Sequence, residues 1–208
     1  MLDAKHGRSV LNIVFDLGGV VLSWDPATIV ASVFDDDRDR KLIVEGVFAH
    51  PDWTALDCGT LSRNEAVDRA VARTHIAPAK LHALFEAIPR ALVPVSSTLE
   101  LITQVREAGN RLYVLSNLHR TSFECVRSTY TVFDLFDGWI VSCEVGMCKP
   151  APAIYRRLLD DFELDPAATV FVDDMPANVD AAAKLGIGTI LFRDVASCRG
   201  QLQSLGCI

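Results

Sequence analysis

Asn12–Val21 reads NIVFDLGGVV. A short β-branched and aromatic run meets an acid, Asp16, and two glycines follow at once. The run fits a buried strand, and the glycine pair fits a tight turn that takes the chain off its end. Runs of the same kind recur downstream. Arg111–Ser116 (RLYVLS) ends on a small polar residue, and Trp139–Ser142 (WIVS) is shorter. Thr169–Val172 (TVFV) stops at Asp173, and Gly188–Phe192 (GTILF) closes the series. Such strands, separated by helical stretches, indicate an α/β fold with a parallel sheet.

The stretches between them carry helix punctuation. Ser97 and Glu100 have capping-box spacing ahead of LELITQVREAG, and Gly109 stands where a helix stop belongs. Pro152 and Pro176 suit the first turns of two later helices, and Ala196–Leu205 suits a last surface helix. Residues 26–94 break the rhythm, with no convincing strand and several amphipathic segments. Ser62 and Glu65 form a second capping box within them. The expected organisation is a core of residues 8–25 and 95–208, with a small all-helical cap at 26–94 inserted after the first strand.

Bulk properties exclude several classes. The chain has 208 residues, half of them hydrophobic, and carries 27 acidic against 20 basic residues for a formal charge of −7. No basic stripe is present, so nucleic acid and anionic membrane are poor partners. No apolar run nears the roughly 20 residues that span a bilayer, and MLDAKHGRS lacks a signal-peptide pattern. The expectation is a cytoplasmic protein, monomer or homodimer. Six scattered cysteines without a CxxC pair read as reduced thiols, with no structural zinc.

In open α/β sheets, ligands bind outside the carboxyl ends of the strands. There the sequence places Asp16, Ser116 and the pair Asp173–Asp174, with Lys149 in the loop after another strand. Each alone has a plain explanation as a cap, a turn or a solvated charge; their common placement does not. Carboxylates suit Mg²⁺, a hard cation that prefers oxygen ligands. Ser116, Lys149 and the backbone N–H groups of Leu17 and Gly18 suit phosphoryl oxygens. An Asp carboxylate can attack phosphorus and form an aspartyl-phosphate that water then hydrolyses.

Four stretches in order, FDLGGVV (Phe15–Val21), LSN (Leu115–Asn117), Lys149 in GMCKPAPAIY, and VDDMPANVDAA (Val172–Ala182), resemble the four motifs of haloacid-dehalogenase-like hydrolases. The helical block resembles the cap of subfamily I. The wording is most similar to bacterial sugar-1-phosphate phosphatases, such as those acting on α-D-glucose 1-phosphate, and to the phosphatase domain of two-domain epoxide hydrolases. The resemblance implies a Rossmann-like core and a Mg²⁺-dependent phosphatase whose partner is a small phosphorylated metabolite. It implies Asp16 as nucleophile and metal ligand, with the Gly18 carbonyl and Asp174 as further ligands and Asp173 direct or behind them. It also implies Ser116 and Asn117 on the phosphate, and Lys149 offsetting charge on phosphate and nucleophile.

One position departs from the pattern. The family's first motif is usually DxD, whose second Asp protonates the leaving group and later activates water; here that position is Gly18. General acid–base catalysis is worth about 10²–10⁴-fold. Three readings stay open: esters with a good leaving group such as an anomeric phosphate; a substitute group, Asp25 being nearest in sequence; or a slow or inactive phosphometabolite-binding protein. The sugar-1-phosphate phosphatases it resembles also lack the acid. A 2-haloacid dehalogenase, which needs no metal, leaves Asp173–Asp174 unexplained. Among weaker features, His119 reads as an exposed loop histidine or one facing the site, Trp24 as substrate contact or hinge packing, and Trp53, Asp57 and Arg63 as cap residues able to meet hydroxyls, the two charges fitting a solvated helix face as well.

Overall fold

The computed structural model describes residues 10–208; the expected core start at residue 8 and His6 lie outside the described residues. Five strands, β1 (Asn12–Phe15), β2 (Arg111–Ser116), β3 (Gly138–Val141), β4 (Thr169–Asp173) and β5 (Gly188–Leu191), form one parallel sheet in the order β3-β2-β1-β4-β5. The expected α/β class with a parallel sheet holds. Strand bounds differ from the sequence reading by about a residue; at β3 the reason is that Ser142 leaves the ladder and opens a short helix, α8 (Ser142–Val145).

Alternation along the central strands builds two cores. Ile13, Phe15, Leu112, Val114, Val170 and Val172 face one side, under helices α6 (Ser96–Glu107), α7 (Arg120–Thr129) and α11 (Val195–Ser204). Val14, Tyr113, Leu115 and Phe171 face the other, under α9 (Pro152–Asp161) and α10 (Pro176–Ala183). Apolar side chains on both faces explain why these strands read as continuous hydrophobic runs.

Residues 26–94 hold helices and no strand, with Pro94 in an isolated bridge to Leu22: α1 (Pro26–Ala31), α2 (Asp37–Ile43) with a π-helical extension Val44–Phe48, α3 (Pro51–Asp57), α4 (Arg63–Thr74) and α5 (Pro78–Ala91). They share a separate hydrophobic cluster from Ile29 to Ile88. Outgoing and returning chains are clipped together at the neck, where Ser23 N–H donates to Val93 O and Val95 N–H to Val21 O. Trp24 packs on both the core and the cap clusters.

Two local expectations differ from the structure. The Ser62–Glu65 capping box forms, but the Ser97–Glu100 one does not. The clip at Val95 starts α6 at Ser96, which puts Ser97 inside the first turn with no end to cap. The reading of all six cysteines as thiols is also corrected. The fold brings Cys58, after α3, to Cys148, beside Lys149, with Cα atoms 5.4 Å apart and the sulfurs joined in a disulfide. They are 90 residues apart, so only the placement of cap on core reveals the pair.

Candidate active site

Sheet register assembles the floor. Phe15 pairs with Val114 on one side and Val172 on the other, so Asp16, Leu115 and Asp173 come level one residue later. Asp16 N–H donates to Val172 O, which fixes the nucleophile candidate at the centre of the strand ends. Gly19 follows with a φ of +77°, and a Cβ there would stand 2.7 Å from Asp174 Oδ2. A side chain at 19 is therefore excluded twice, by backbone conformation and by the close approach of the loop to Asp174. Gly18 differs: a Cβ would meet nothing nearer than Trp24 Cβ at 3.9 Å.

The polar groups interlock. Asp16 Oδ1 accepts from Leu17 N–H at 2.6 Å and Ser116 Oγ–H at 2.7 Å, and Lys149 Nζ lies 2.9 Å away. All three meet one oxygen, which leaves Oδ2 outside this network. Lys149 Nζ also donates to Asp173 Oδ2 at 2.6 Å. Asp173 is held further by Met175 N–H at 2.8 Å and by Asn178 Nδ2 at 3.0 and 3.1 Å. Both its oxygens are engaged with protein donors. Asn117 brackets the Lys149 backbone from two sides, accepting from its N–H at 2.8 Å and donating to its carbonyl at 2.9 Å.

Electrostatics follow from that packing. Burial drives the Asp16 carboxyl up to about 7; Lys149 opposes the rise and Asp173 adds to it. Burial works against the Lys149 ammonium, but Asp16 and Asp173 outweigh it and raise its pKa. Asp174 is raised by burial and by the neighbouring Asp173 charge. Asp16, Asp173 and Asp174 can offer carboxylate oxygens within 4.8 Å of one another. One buried ammonium among these acids leaves the floor short of positive charge for a phosphate dianion. An all-oxygen, hard donor set with that deficit fits a divalent cation such as Mg²⁺.

A cavity of about 280 Å³ opens over the floor. Asp16, Gly18, Asn117, Lys149 and Asp174 line its base, and Trp24, Trp53, Thr54 and Asp57 reach it from the neck and cap. Trp24 and Trp53 stack with ring centroids 6.0 Å apart. Trp24 thus lines the cavity and also packs at the hinge between the two clusters.

The reading of His119 as exposed is corrected. It is buried, caps α7 by accepting from Ser122 N–H, and meets the Trp53 ring edge-on. Burial, with the Arg63 charge nearby, holds its pKa down to about 4. Asp25 is also corrected: it is exposed, caps α1 through Thr28 N–H and Oγ1–H, and is absent from the cavity lining. Arg63 lies outside the lining and turns to Glu86 and the His82 carbonyl.

Two contributors escaped the sequence reading. Asn178 braces Asp173 from the first turn of α10; an amide five residues after an acid is the faint signal for it. Ser142 ends the third strand run, as Ser116 ends the second, and was open to the same reading. Its Oγ accepts from Leu118 N–H at 2.9 Å and donates to the Asp57 carbonyl at 2.6 Å, tying cap to core.

A family model for haloacid dehalogenase-like hydrolases matches residues 11–186, and the chain belongs to that family. Among curated relatives, the sesquiterpene phosphatase astK of Aspergillus oryzae is 26% identical over 93% of this chain and 96% of its own length. The D-ribitol-5-phosphate phosphatase of Bacteroides thetaiotaomicron is 28% identical over 93% of this chain and 97% of its own. The chain spans only 36%, 18% and 13% of three longer relatives, an epoxide hydrolase among them. A HAD family enzyme from Bacteroides thetaiotaomicron, crystallised with magnesium and inorganic phosphate, superposes with a TM-score of 0.69 at 25% identity, covering 89% of this chain and 95% of that one. Among the described residues, no helix is long and apolar enough to cross a membrane.

Proposed function

We propose that this chain is a Mg²⁺-dependent phosphatase for small phosphate monoesters, with sugar phosphates foremost. One observation carries the reading: Asp16 faces the cavity with Ser116, Lys149 and Asp174 around it, although these residues are scattered over the sequence. Two relatives that match over nearly their whole length are phosphatases. The cavity is at the small end for ligand pockets, and a lining that joins polar groups with the Trp24–Trp53 stack suits a polyol.

In this reading Asp16 Oδ2 attacks phosphorus in line, while Leu17 N–H and Lys149 hold Oδ1 and fix the carboxylate's angle; Ser116 gives its single O–H, held on Oδ1 without substrate, to the phosphoryl group. Ser116, the Asn117 N–H and the Gly18 N–H steady the phosphoryl oxygens. Asp16, Asp174 and the Gly18 carbonyl would hold the cation, and Asp173, already engaged by Lys149 and Asn178, would stand behind them. When bound, Mg²⁺ neutralises charge between the carboxylates and the phosphoryl group. Lys149 offsets the rest.

The test is a phosphate-release screen over sugar phosphates, nucleotides and glycolytic esters with Mg²⁺, run beside Asp16→Asn. The parent should release phosphate, stop on EDTA and recover with excess Mg²⁺. Asp16→Asn should lose on the order of 10³-fold or more. A variant as active as the parent would remove the nucleophile assignment. EDTA-resistant halide release from a 2-haloacid would assign the other chemistry. Binding of phosphate with no turnover in any arm would make the chain a binding protein.

A further inference from the structure

We propose that Asp57, delivered by the cap, is the general acid and base that Gly18 cannot be. The proposal rests on the phosphatase reading above. Position 18 has no side chain, and the space where a Cβ would stand is open. The other acids at hand are committed. Asp25 is spent on the α1 cap, and Asp173 has both oxygens engaged. Asp16 and Asp174 belong to the floor cluster, from which Asp57 stands apart. His119 also lines the cavity, but both its ring nitrogens contact Ser122. With Lys149 paired to Asp16 and Asp173, Asp57 is the remaining titratable side chain of the lining among the described residues.

Its position is built rather than incidental. The backbone carbonyl of Asp57 takes the Ser142 hydroxyl at 2.6 Å, and the next residue, Cys58, is bonded to Cys148 in the core. Gly59 then turns with a φ of +72°, close enough to the core that a Cβ would lie 2.9 Å from the Cys143 carbonyl. Three successive residues thus pin a cap corner onto the loops that carry Ser142 and Lys149. A proton donor must be held within hydrogen-bond reach of its target, and this corner is held on three counts.

The surroundings favour a carboxyl that carries a proton at neutral pH. Desolvation raises the Asp57 pKa to about 7; the His119 N–H opposes the rise, the Asp16 charge adds to it and Lys149 opposes it. A general acid works best with a pKa near the operating pH. As the Asp16 oxygen bonds to phosphorus and the ester P–O bond breaks, Asp57 gives its proton to the departing oxygen and the alcohol leaves. The Asp57 carboxylate then takes a proton from water as the water oxygen attacks phosphorus. The bond to Asp16 breaks, phosphate departs, and both aspartates return to their starting states.

The experiment compares two esters with the full chain and Mg²⁺: p-nitrophenyl phosphate, whose leaving group needs little protonation, and glycerol phosphate, whose alkoxide needs it. Asp57→Asn should lose about 10²–10⁴-fold in kcat on the alkyl ester. On the aryl ester it should give a burst of nitrophenolate near one equivalent and then stall as the phosphoenzyme accumulates. Adding Gly18→Asp should restore alkyl turnover, since a Cβ at 18 meets nothing nearer than Trp24 Cβ at 3.9 Å. Asp16→Asn should show neither burst nor turnover, and a parent inactive on every ester would sink the phosphatase reading itself. If Asp57→Asn keeps the parent's kcat, or raises KM alone on both esters without a burst, Asp57 is a substrate contact and the proposal fails.

Discussion

The floor of the cavity and the cap corner both present carboxylates, and they hold them by different means. On the floor, charge does the positioning: Lys149 sits between Asp16 and Asp173, and each ion is desolvated by the others' neighbourhood. At the corner, covalent and backbone contacts do it: Ser142 on the Asp57 carbonyl, Cys58 on Cys148, and the close approach of Gly59. The Asp57 side chain itself is in no ion pair among the described residues. A floor tied together by charge tolerates little change in protonation. A corner tied by its backbone leaves its side chain able to gain and lose a proton without losing its place.

The largest expected effect breaks the floor. Lys149→Ala leaves two buried carboxylates without their counter-ion, which typically costs about 3–5 kcal/mol. Thermal unfolding should shift down sharply, and phosphate release should vanish with it. A variant of parental stability would mean that the carboxylates do not depend on the ammonium.

A smaller effect separates two neighbours in the same turn. Gly19→Ala forces a non-glycine residue into the left-handed region and against Asp174, so it should lose about 1–3 kcal/mol and most of its Mg²⁺ affinity. Gly18→Ala meets open space and should unfold within about 0.5 kcal/mol of the parent. Equal effects of the two substitutions would contradict the loop geometry.

The smallest effect probes the corner. Ser142→Ala leaves Leu118 N–H and the Asp57 carbonyl without this partner, a loss of about 1–2 kcal/mol. The floor should be spared, so nitrophenolate release from the aryl ester should continue while alkyl-ester turnover drops. Loss of both together would show that corner and floor are one unit.

Much of the floor was legible in the sequence because strand ends are local signals. Asp16, Ser116 and Asp173 each terminate an apolar run, and a parallel sheet brings such termini to one edge. Asn178 and the bracketing side chain of Asn117 were not, since their partners are set by how a helix or a loop lies against the strand end. Cap placement was the larger gap. Nothing in the spacing of Cys58 and Cys148 pairs them, and nothing near His119 announces that Trp53 will cover it. The two capping boxes make the same point at small scale. Ser62–Glu65 stands at a helix start that the cap leaves undisturbed, whereas the neck hydrogen bonds moved the start of α6 past Ser97.

The sulfur bridge joins the residue after Asp57 to the residue before Lys149, so the two shores of the cavity cannot part at that point. While it stands, the helical lid is hinged like a box with its latch welded: it can tilt about Cys58 but not lift away. Any wider opening for small molecules must then form elsewhere on the cavity rim than at the Cys58–Cys148 edge.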